Sequence, residues 1–144
     1  MSWALATYAT EAEYRQHFET KYCQGPLATF DGYLVRFRKD QFDHCFFESS
    51  QRDGSKDTFS PLRAERMDWI AETLADPTAQ LKAGWDSKNR CYDHDRRVVL
   101  VKGNYVVVIA LTTGKKATFI TAYVMDTPRS LQKLAAAPTW VPPP

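Results

Sequence analysis

The chain has 144 residues, of which 44% are hydrophobic and 25% are charged, and its formal net charge is +2. This length corresponds to one ordinary domain, which can bury a core without disulfides or metal ions. A net charge so close to zero does not by itself indicate a nucleic-acid-binding protein, so such a function has to depend on local clusters of charge.

Three irregularly spaced cysteines argue against a disulfide framework: Cys23, Cys45 and Cys91. Their free thiols favour a reducing compartment. No apolar run approaches the roughly 18 residues that a membrane span needs. The sequence also lacks the basic start and following apolar run that would predict a signal peptide. We therefore expect a cytoplasmic protein that makes no membrane contact.

The N-terminal third begins with an apolar segment, residues 1–9, which predicts a short strand or a docked arm. Thr10 and Glu13 form a capping-box pattern that predicts the start of a helix. The helix is expected over Glu11–Tyr22, with Gly25-Pro26 after its end. We interpret His17 as a partly exposed helical residue.

Residues 29–37 predict a strand interrupted by a turn at Asp31-Gly32. In the next segment, 41–48, the phenylalanines predict burial, so His44, which we place at the end of an aromatic strand, would need a polar partner. Residues 49–60 are polar and predict a surface loop.

Ser60-Pro61 predicts a helix start, with serine as the N-cap and proline at the first helical position. Apolar residues at helical spacing extend this helix over Pro61–Ala75, where Asp76-Pro77 ends it. Residues 77–83 are expected to add one further helical turn. Residues 84–95 are polar and predict a loop.

The C-terminal half predicts an antiparallel meander of three strands, Val98–Val101, Tyr105–Leu111 and Ala117–Val124. Gly103-Asn104 and Thr113-Gly114 supply the turns between them. Strand alternation places two groups of last-strand residues on opposite faces. The two groups are Phe119, Thr121 and Tyr123, and Ile120, Ala122 and Val124.

We expect Trp69 and Ile70 of the long helix to cover the second, apolar group. The prediction is an α+β fold in which N-terminal helices pack on one face of a small antiparallel sheet. One domain is expected over residues 1–144, with an arm and helix over 1–30, a core over 34–124 and a tail over 125–144. Residues 131–137 of this tail predict a short helix, and residues 141–144 a solvated end.

Two kinds of site are disfavoured by the residue pattern. Cys91 and His94 have a ligand-like spacing for zinc, but His44-Cys45 is a poor second ligand pair because adjacent residues suit tetrahedral geometry badly. Cys45 as a nucleophile is disfavoured because the flanking phenylalanines predict a buried thiol. We therefore expect no metal ion and no cofactor.

The third kind of site is a metal-free one around His44, which can act as a general acid or base near neutral pH. Arg63 or Arg66 would support a phosphate that gains charge in the transition state. Thr121 could orient a phosphate oxygen, and Tyr123 could stack on a base or donate a proton. These residue types match RNA cleavage without a metal ion. The alternative is a core histidine beside a solvated basic face.

The order of these features resembles the barnase–EndoU–colicin–RelE superfamily, and most closely its colicin D-like and phage-encoded branches. The similarity covers Leu34–Val124 and depends on three features in series. They are His44, a helix reading R-x-x-R-x-x-W-I-x-x-x-L-x-D-P, and a meander that ends in F-I-T-A-Y.

The resemblance implies a helix packed on an antiparallel sheet and a metal-independent ribonuclease, often a toxin that acts on tRNA or mRNA. It would place the catalytic histidine at His44 and a hydroxyl-x-aromatic pair at Thr121-Ala122-Tyr123. The sequence departs from the pattern because Gln41 stands where colicin D-like sites carry a lysine. Lys39 or Arg38 could substitute, as could an arginine of the following helix.

The leading hypothesis is therefore an endoribonuclease, as a toxin or prophage-derived effector with a neutralising immunity or antitoxin protein as partner. Its expected catalytic residues are His44, Arg66, Thr121 and Tyr123, and its expected substrate contacts are Arg63, Arg38, Lys39, Arg97 and Lys102.

Two alternatives stay open. One is a non-catalytic module that binds nucleic acid or an acidic partner through basic clusters, namely Arg36/Arg38/Lys39, Arg96/Arg97/Lys102 and Lys115/Lys116. The other is an interaction protein that docks through Trp3, Trp85 and Trp140.

Overall fold

The structure, a computed structural model, describes residues 4–49, 57–86 and 88–141, without the side chains of His94 and Asp95. The helices of this part of the chain are α1 (Glu11–Tyr22), α2 (Gln41–Phe46), α3 (Pro61–Ala64), α4 (Asp68–Ala75) and α5 (Pro128–Ala136). Its strands are β1 (Leu27–Ala28), β2 (Leu34–Arg36), β3 (Phe47–Glu48), β4 (Thr58–Phe59), β5 (Gln80–Asp86), β6 (Cys91–Lys102), β7 (Tyr105–Leu111) and β8 (Lys116–Val124).

Within the described ranges, six strands form one sheet in the order β1-β2-β8-β7-β6-β5, and β3 pairs separately with β4. Neighbouring strands are antiparallel except for β2 and β8, which run parallel with Val35 opposite Ala117. Side chains of α1, α2 and α4 pack with those of the sheet in one buried cluster. The α+β fold is therefore confirmed, with one parallel pair in a mostly antiparallel sheet.

The predicted meander is present as β6, β7 and β8, and the glycines of its two turns, Gly103 and Gly114, both have φ +60°. Residues 84–95 are not a loop, because β5 and the first half of β6 pair as a hairpin there. Trp85 and Tyr92 lie opposite each other in this hairpin, with ring centroids 5.2 Å apart. Such a cross-strand aromatic pair stabilises a hairpin that has no apolar alternation. The extra helical turn over residues 77–83 is also wrong, since β5 begins at Gln80.

A β-bulge in β8 overturns the predicted division of its faces. Phe119 lies opposite Ile109 and Thr121 lies opposite Val108, so Ile120 is an extra residue in the strand. Phe119 and Ala122 are therefore both buried in the core, whereas simple alternation would have put them on opposite faces.

The helix predicted over residues 61–75 is interrupted. Ser60 caps α3, accepting from Arg63 N at 3.3 Å as expected, but three residues separate α3 from α4. The carbonyls of these three residues accept hydrogen bonds from elsewhere in the fold. The pairs are Ala6 N to Glu65 O, Tyr105 Oη to Arg66 O and Tyr22 Oη to Met67 O. For Arg66 O and Met67 O these tertiary bonds add to local ones from Trp69 N and Ile70 N, and a sequence pattern does not reveal the tertiary partners.

The segment with His44 is a helix, α2, and not the predicted buried strand. Phe42, Cys45 and Phe46 are buried at helical spacing, which leaves His44 exposed on the other side. Helix α2 lies along the part of β8 that extends beyond β2. There Gln41 Nε2 donates to the carbonyl of Phe119, and Cys45 Sγ donates to the carbonyl of Ala122 at 3.4 Å.

The two ends of the described chain are docked on this core. The N-terminal segment forms no strand; Trp69 Nε1 donates to Ala4 O at 3.1 Å, and residues 1–3 lie outside the described residues. The predicted capping box of Thr10 and Glu13 is present at the start of α1. The predicted C-terminal helix is α5, after which Pro138 O accepts from Ala83 N of β5 at 2.8 Å. Residues 50–56 of the predicted loop and 142–144 of the predicted tail also lie outside the described residues.

Candidate active-site groove

A groove of about 670 Å³ runs between α2, α3 and the end of β8. Its lining includes five of the site residues predicted from the sequence: His44, Arg63, Arg66, Thr121 and Tyr123. They come from separate elements, which the contact of α2 with the open edge of β8 brings together.

The histidine of the groove is free to meet a ligand. His44 is exposed because the buried side chains of α2 lie on its opposite face. No side chain in the described part of the molecule donates to or accepts from its ring. Among the described residues both ring nitrogens thus remain open to the hydrogen-bond contact that proton transfer needs.

The two arginines differ in how many of their donors are in use. Arg66 Nη1 donates to Leu62 O at 2.5 Å and to Glu65 Oε1 at 3.0 Å, and its guanidinium carbon lies 5.1 Å from the ring centroid of Trp69. Arg63 Nη1 makes a longer contact, 3.5 Å, to the carbonyl of Phe47. Arg63 is therefore the better donor for an incoming anion, whereas Arg66 is held by its surroundings.

The hydroxyls of Thr121 and Tyr123 reach the groove because of the β8 bulge. Tyr123 is 38% exposed and Thr121 is half-buried. In the described residues neither hydroxyl has a hydrogen-bonding partner. Partial burial raises the pKa of Tyr123 above its ordinary value, so the phenol stays protonated near neutral pH and can donate a hydrogen bond.

Sequence reasoning missed Glu48 and Asp126, which also line the groove and are exposed. Glu48 follows His44 by four residues, a spacing that places both on one side of a helix or of a strand. That spacing was the available signal for a second proton-transfer group. With both carboxylates present, the groove carries charges of both signs.

The other four predicted substrate contacts do not line the groove. Arg38 Nε binds Asp40 Oδ1 at 3.2 Å, Lys39 Nζ lies 3.9 Å from Glu19 Oε1, and Arg97 lies on β6. Lys102 forms an ion pair with Asp76 at 3.3 Å and donates to the hydroxyl of Thr78. Only Arg63 of the predicted substrate contacts belongs to the groove.

The described residues of the disfavoured sites lie on two elements, α2 and β6, and the side chain of His94 lies outside the described residues. His44 and Cys45 point to opposite sides of α2, with Cys45 only 1% exposed. Cys91 is exposed on β6. No three histidine, cysteine or acidic side chains in the described residues are grouped so that they could hold a metal ion.

A second polar cluster joins the N-terminal segment to α1 and α4. Tyr8 Oη lies 2.6 Å from His17 Nδ1, and His17 Nε2 lies 2.7 Å from Asp68 Oδ1. Lys21 Nζ donates to the same carboxylate oxygen at 2.9 Å. Burial opposes the charged form of Asp68, but the hydrogen bonds from Lys21 and His17 outweigh it and lower the pKa of this carboxyl.

No protein-family model, curated protein or solved structure matches the chain. None of the helices in the described ranges has the length and apolar character needed to cross a membrane.

Proposed function

We propose that this protein is a metal-independent endoribonuclease, in which a ribose 2′-hydroxyl attacks the adjacent phosphodiester. The observation that carries the proposal is the presence in one groove of His44, Arg63, Thr121 and Tyr123, each free to contact a ligand. Together they supply proton transfer, a cation and two hydroxyls, the groups that this reaction needs in the absence of a metal ion.

Two proton transfers are required. One group removes the proton of the 2′-hydroxyl, and another protonates the 5′-oxygen that leaves when its bond to phosphorus breaks. Glu48 suits the first role because its exposed carboxylate lines the groove and can accept a proton. His44 suits the second role, since a protonated imidazole can donate to the leaving oxygen. The products are a 2′,3′-cyclic phosphate and a 5′-hydroxyl.

Arg63 would bind the non-bridging phosphate oxygens, whose charge grows in the transition state. Thr121 would orient one of these oxygens, and the ring of Tyr123 would stack on a base next to the cleaved bond. Arg66 is better described as a positioning residue, because Leu62, Glu65 and Trp69 already hold its guanidinium.

From the resemblance stated above, we further propose a cytoplasmic toxin or prophage-derived effector that acts on tRNA or mRNA and is neutralised by an immunity or antitoxin protein. The exposed side chains of Leu62 and Tyr123 at the groove would suit such an inhibitor, because apolar and aromatic side chains commonly anchor interfaces.

The test is incubation of the purified protein with total RNA. Wild type is compared with His44→Ala, and Arg38→Ala serves as a control because Arg38 is exposed outside the groove. We expect cleavage by wild type and Arg38→Ala and a loss of at least about 100-fold in His44→Ala. Addition of a chelator should leave the rate unchanged, and products should end in 2′,3′-cyclic phosphate.

Equal cleavage by wild type and His44→Ala, or none by either, would rule out this assignment. Binding of RNA without cleavage would instead favour the alternative, a non-catalytic nucleic-acid-binding module. Its affinity should fall steeply with salt and be the same in His44→Ala.

A further inference from the structure

The hairpin of β5 and β6 extends past the rest of the sheet. Strand β7 pairs with β6 only from Arg97 onwards, whereas β5 continues to pair with β6 as far as Asp86 and Cys91. Residues 84–86 and 88–93 therefore project from the sheet, and we call them the hairpin tip. No other strand in the described part of the chain pairs with the tip.

The hairpin tip exposes an aromatic side chain. Trp85 is 52% exposed, whereas Trp140 is buried and Trp69 is half-buried. The ring of Trp85 meets that of Tyr92 edge-on, with an interplanar angle of 82°. An edge-to-face pair leaves a ring face open, and such a face can stack on a nucleobase.

Three exposed cations lie in the hairpin tip or next to it in the chain. Lys88 and Arg90 are exposed in the turn, and Arg96 is exposed where the tip joins the sheet. None of the three side chains forms an ion pair with a described residue. The carboxylate of Asp86 is used within the turn, where it accepts from Lys88 N at 3.0 Å and from Asn89 Nδ2 at 2.7 Å. Asp93 accepts from the backbone of Arg96 at 3.0 Å.

The tip lies far from the groove. The groove is at the end of the sheet where Tyr105 pairs with Val124. From Gln80, near that end, to Asp86 in the tip, β5 advances six residues, or about 20 Å at roughly 3.3 Å per residue. Strand β5 is also at the edge of the sheet, separated from β8 by β7 and β6. A ligand must therefore be long to reach both.

We propose that the hairpin tip is a second binding site for single-stranded RNA, where Trp85 stacks on a base and Lys88 and Arg90 bind the flanking phosphates. The inference depends on the proposed function for the identity of the ligand. It also explains how a groove that contains two carboxylates could retain RNA, since backbone cations and stacking outside the groove would add affinity.

The experiment measures binding of 2′-O-methyl RNA, which lacks the attacking hydroxyl and so cannot be cleaved. Fluorescence anisotropy is recorded with oligonucleotides of about four and about twenty nucleotides. The variants are Trp85→Ala and Arg90→Asn. The second keeps the turn, because Arg90 has φ 54° and asparagine tolerates that conformation well. Lys133→Gln on α5 is the control for net charge.

We expect Trp85→Ala and Arg90→Asn each to weaken binding of the long oligonucleotide about ten-fold. Binding of the short oligonucleotide should change less, because it cannot occupy the tip and the groove together. Binding of the long one by Lys133→Gln should not change by more than about two-fold, because Lys133 lies on α5, outside the tip. Equal affinity of wild type and Arg90→Asn for the long RNA would overturn the inference. Binding of that RNA by Trp85→Ala as tightly as by wild type would also overturn it. A tip that docks on a protein would give both of these results.

Cleavage assays separate this result from the proposed function. If both tip variants bind and cleave as wild type does while His44→Ala is inactive, the tip inference fails and the ribonuclease proposal stands. If the tip variants lose affinity for long RNA while wild type cleaves nothing, the tip inference stands and the ribonuclease proposal fails.

Discussion

The Nε2 atom of His17 lies 2.7 Å from Oδ1 of Asp68 and so joins α1 to the first residue of α4. Lys21 donates to the same oxygen from the next turn of α1. This carboxylate thus holds two helices together, two residues along the chain from Arg66 of the groove.

We expect Asp68→Asn to lower the free energy of unfolding by about 1 kcal/mol at pH 7. The folded protein lowers the pKa of Asp68 below its ordinary value of 3.8, so the carboxylate stabilises the fold above that pH. This contribution is lost as the pH falls through the lowered pKa. Urea denaturation at pH 7 and below pH 3 measures the difference.

The difference between wild type and Asp68→Asn should therefore shrink in acid. Glu72→Gln is the control, because Glu72 is exposed on the same helix and forms no ion pair within the described residues. If Glu72→Gln were as destabilising as Asp68→Asn, the effect would come from helix charge and not from this contact.

Tyr22→Phe should destabilise the protein by about 2 kcal/mol. The Tyr22 hydroxyl is fully buried, donates to Met67 O at 2.5 Å and accepts from Ala71 N at 3.2 Å. Removing it takes one hydrogen bond from the buried Met67 carbonyl, which also accepts from Ile70 N at 3.1 Å, and takes the hydroxyl acceptor from Ala71 N. Urea denaturation gives the value, and Tyr123→Phe is a matched control with an exposed hydroxyl. Equal stability of wild type and Tyr22→Phe would contradict this account.

Arg63→Ala should reduce RNA cleavage at least about 100-fold, because the cation that would bind the phosphate is lost. The midpoint of urea unfolding should stay within error of wild type, because the Arg63 side chain makes only a long contact to Phe47 O. Arg66→Ala should instead lower stability as well as activity, since its guanidinium bonds to Leu62 and Glu65 are lost. Single-turnover rates and unfolding curves for both variants check this. The reverse pattern would exchange the roles of the two arginines.

Gly84→Ala should disturb the hairpin tip. A Cβ atom at this position would lie 2.6 Å from the Cβ of Arg97, so one of the strands must move. We expect a loss of about 1–3 kcal/mol, typical of overpacking, and faster amide exchange at Trp85 and Tyr92 than in wild type. Gly25→Ala is the control, because a Cβ there would meet no atom within 4 Å. Unchanged exchange would show that β6 adjusts freely.

Local signals in the sequence predicted the parts of the fold that depend on local chemistry. The capping box at Thr10, the Ser60-Pro61 helix start and the glycine turns of the meander all occur where expected. Each requires only neighbouring residues to satisfy its backbone, so the pattern is sufficient.

The elements that the sequence did not predict depend on distant partners. Helix α2 resembles an aromatic strand in composition, and its place is set by Gln41 and Cys45 binding carbonyls of β8. The β5–β6 hairpin is stabilised by Trp85 across from Tyr92 and not by alternation. The groove was predictable only in part. Residue type identified five of its lining residues, but Glu48 was missed although it follows His44 by four residues.

The extra residue in β8 has a consequence for tolerance to mutation. Before Ile120 the core side chains are the odd-numbered Ala117 and Phe119, and after it the buried residue is the even-numbered Ala122. In a scan of all substitutions along β8, intolerance should therefore change from odd to even positions at residue 120. Substitutions at positions 121 and 123 should then leave the core undisturbed. A screen for stability should tolerate them, and only a screen for activity should reject them.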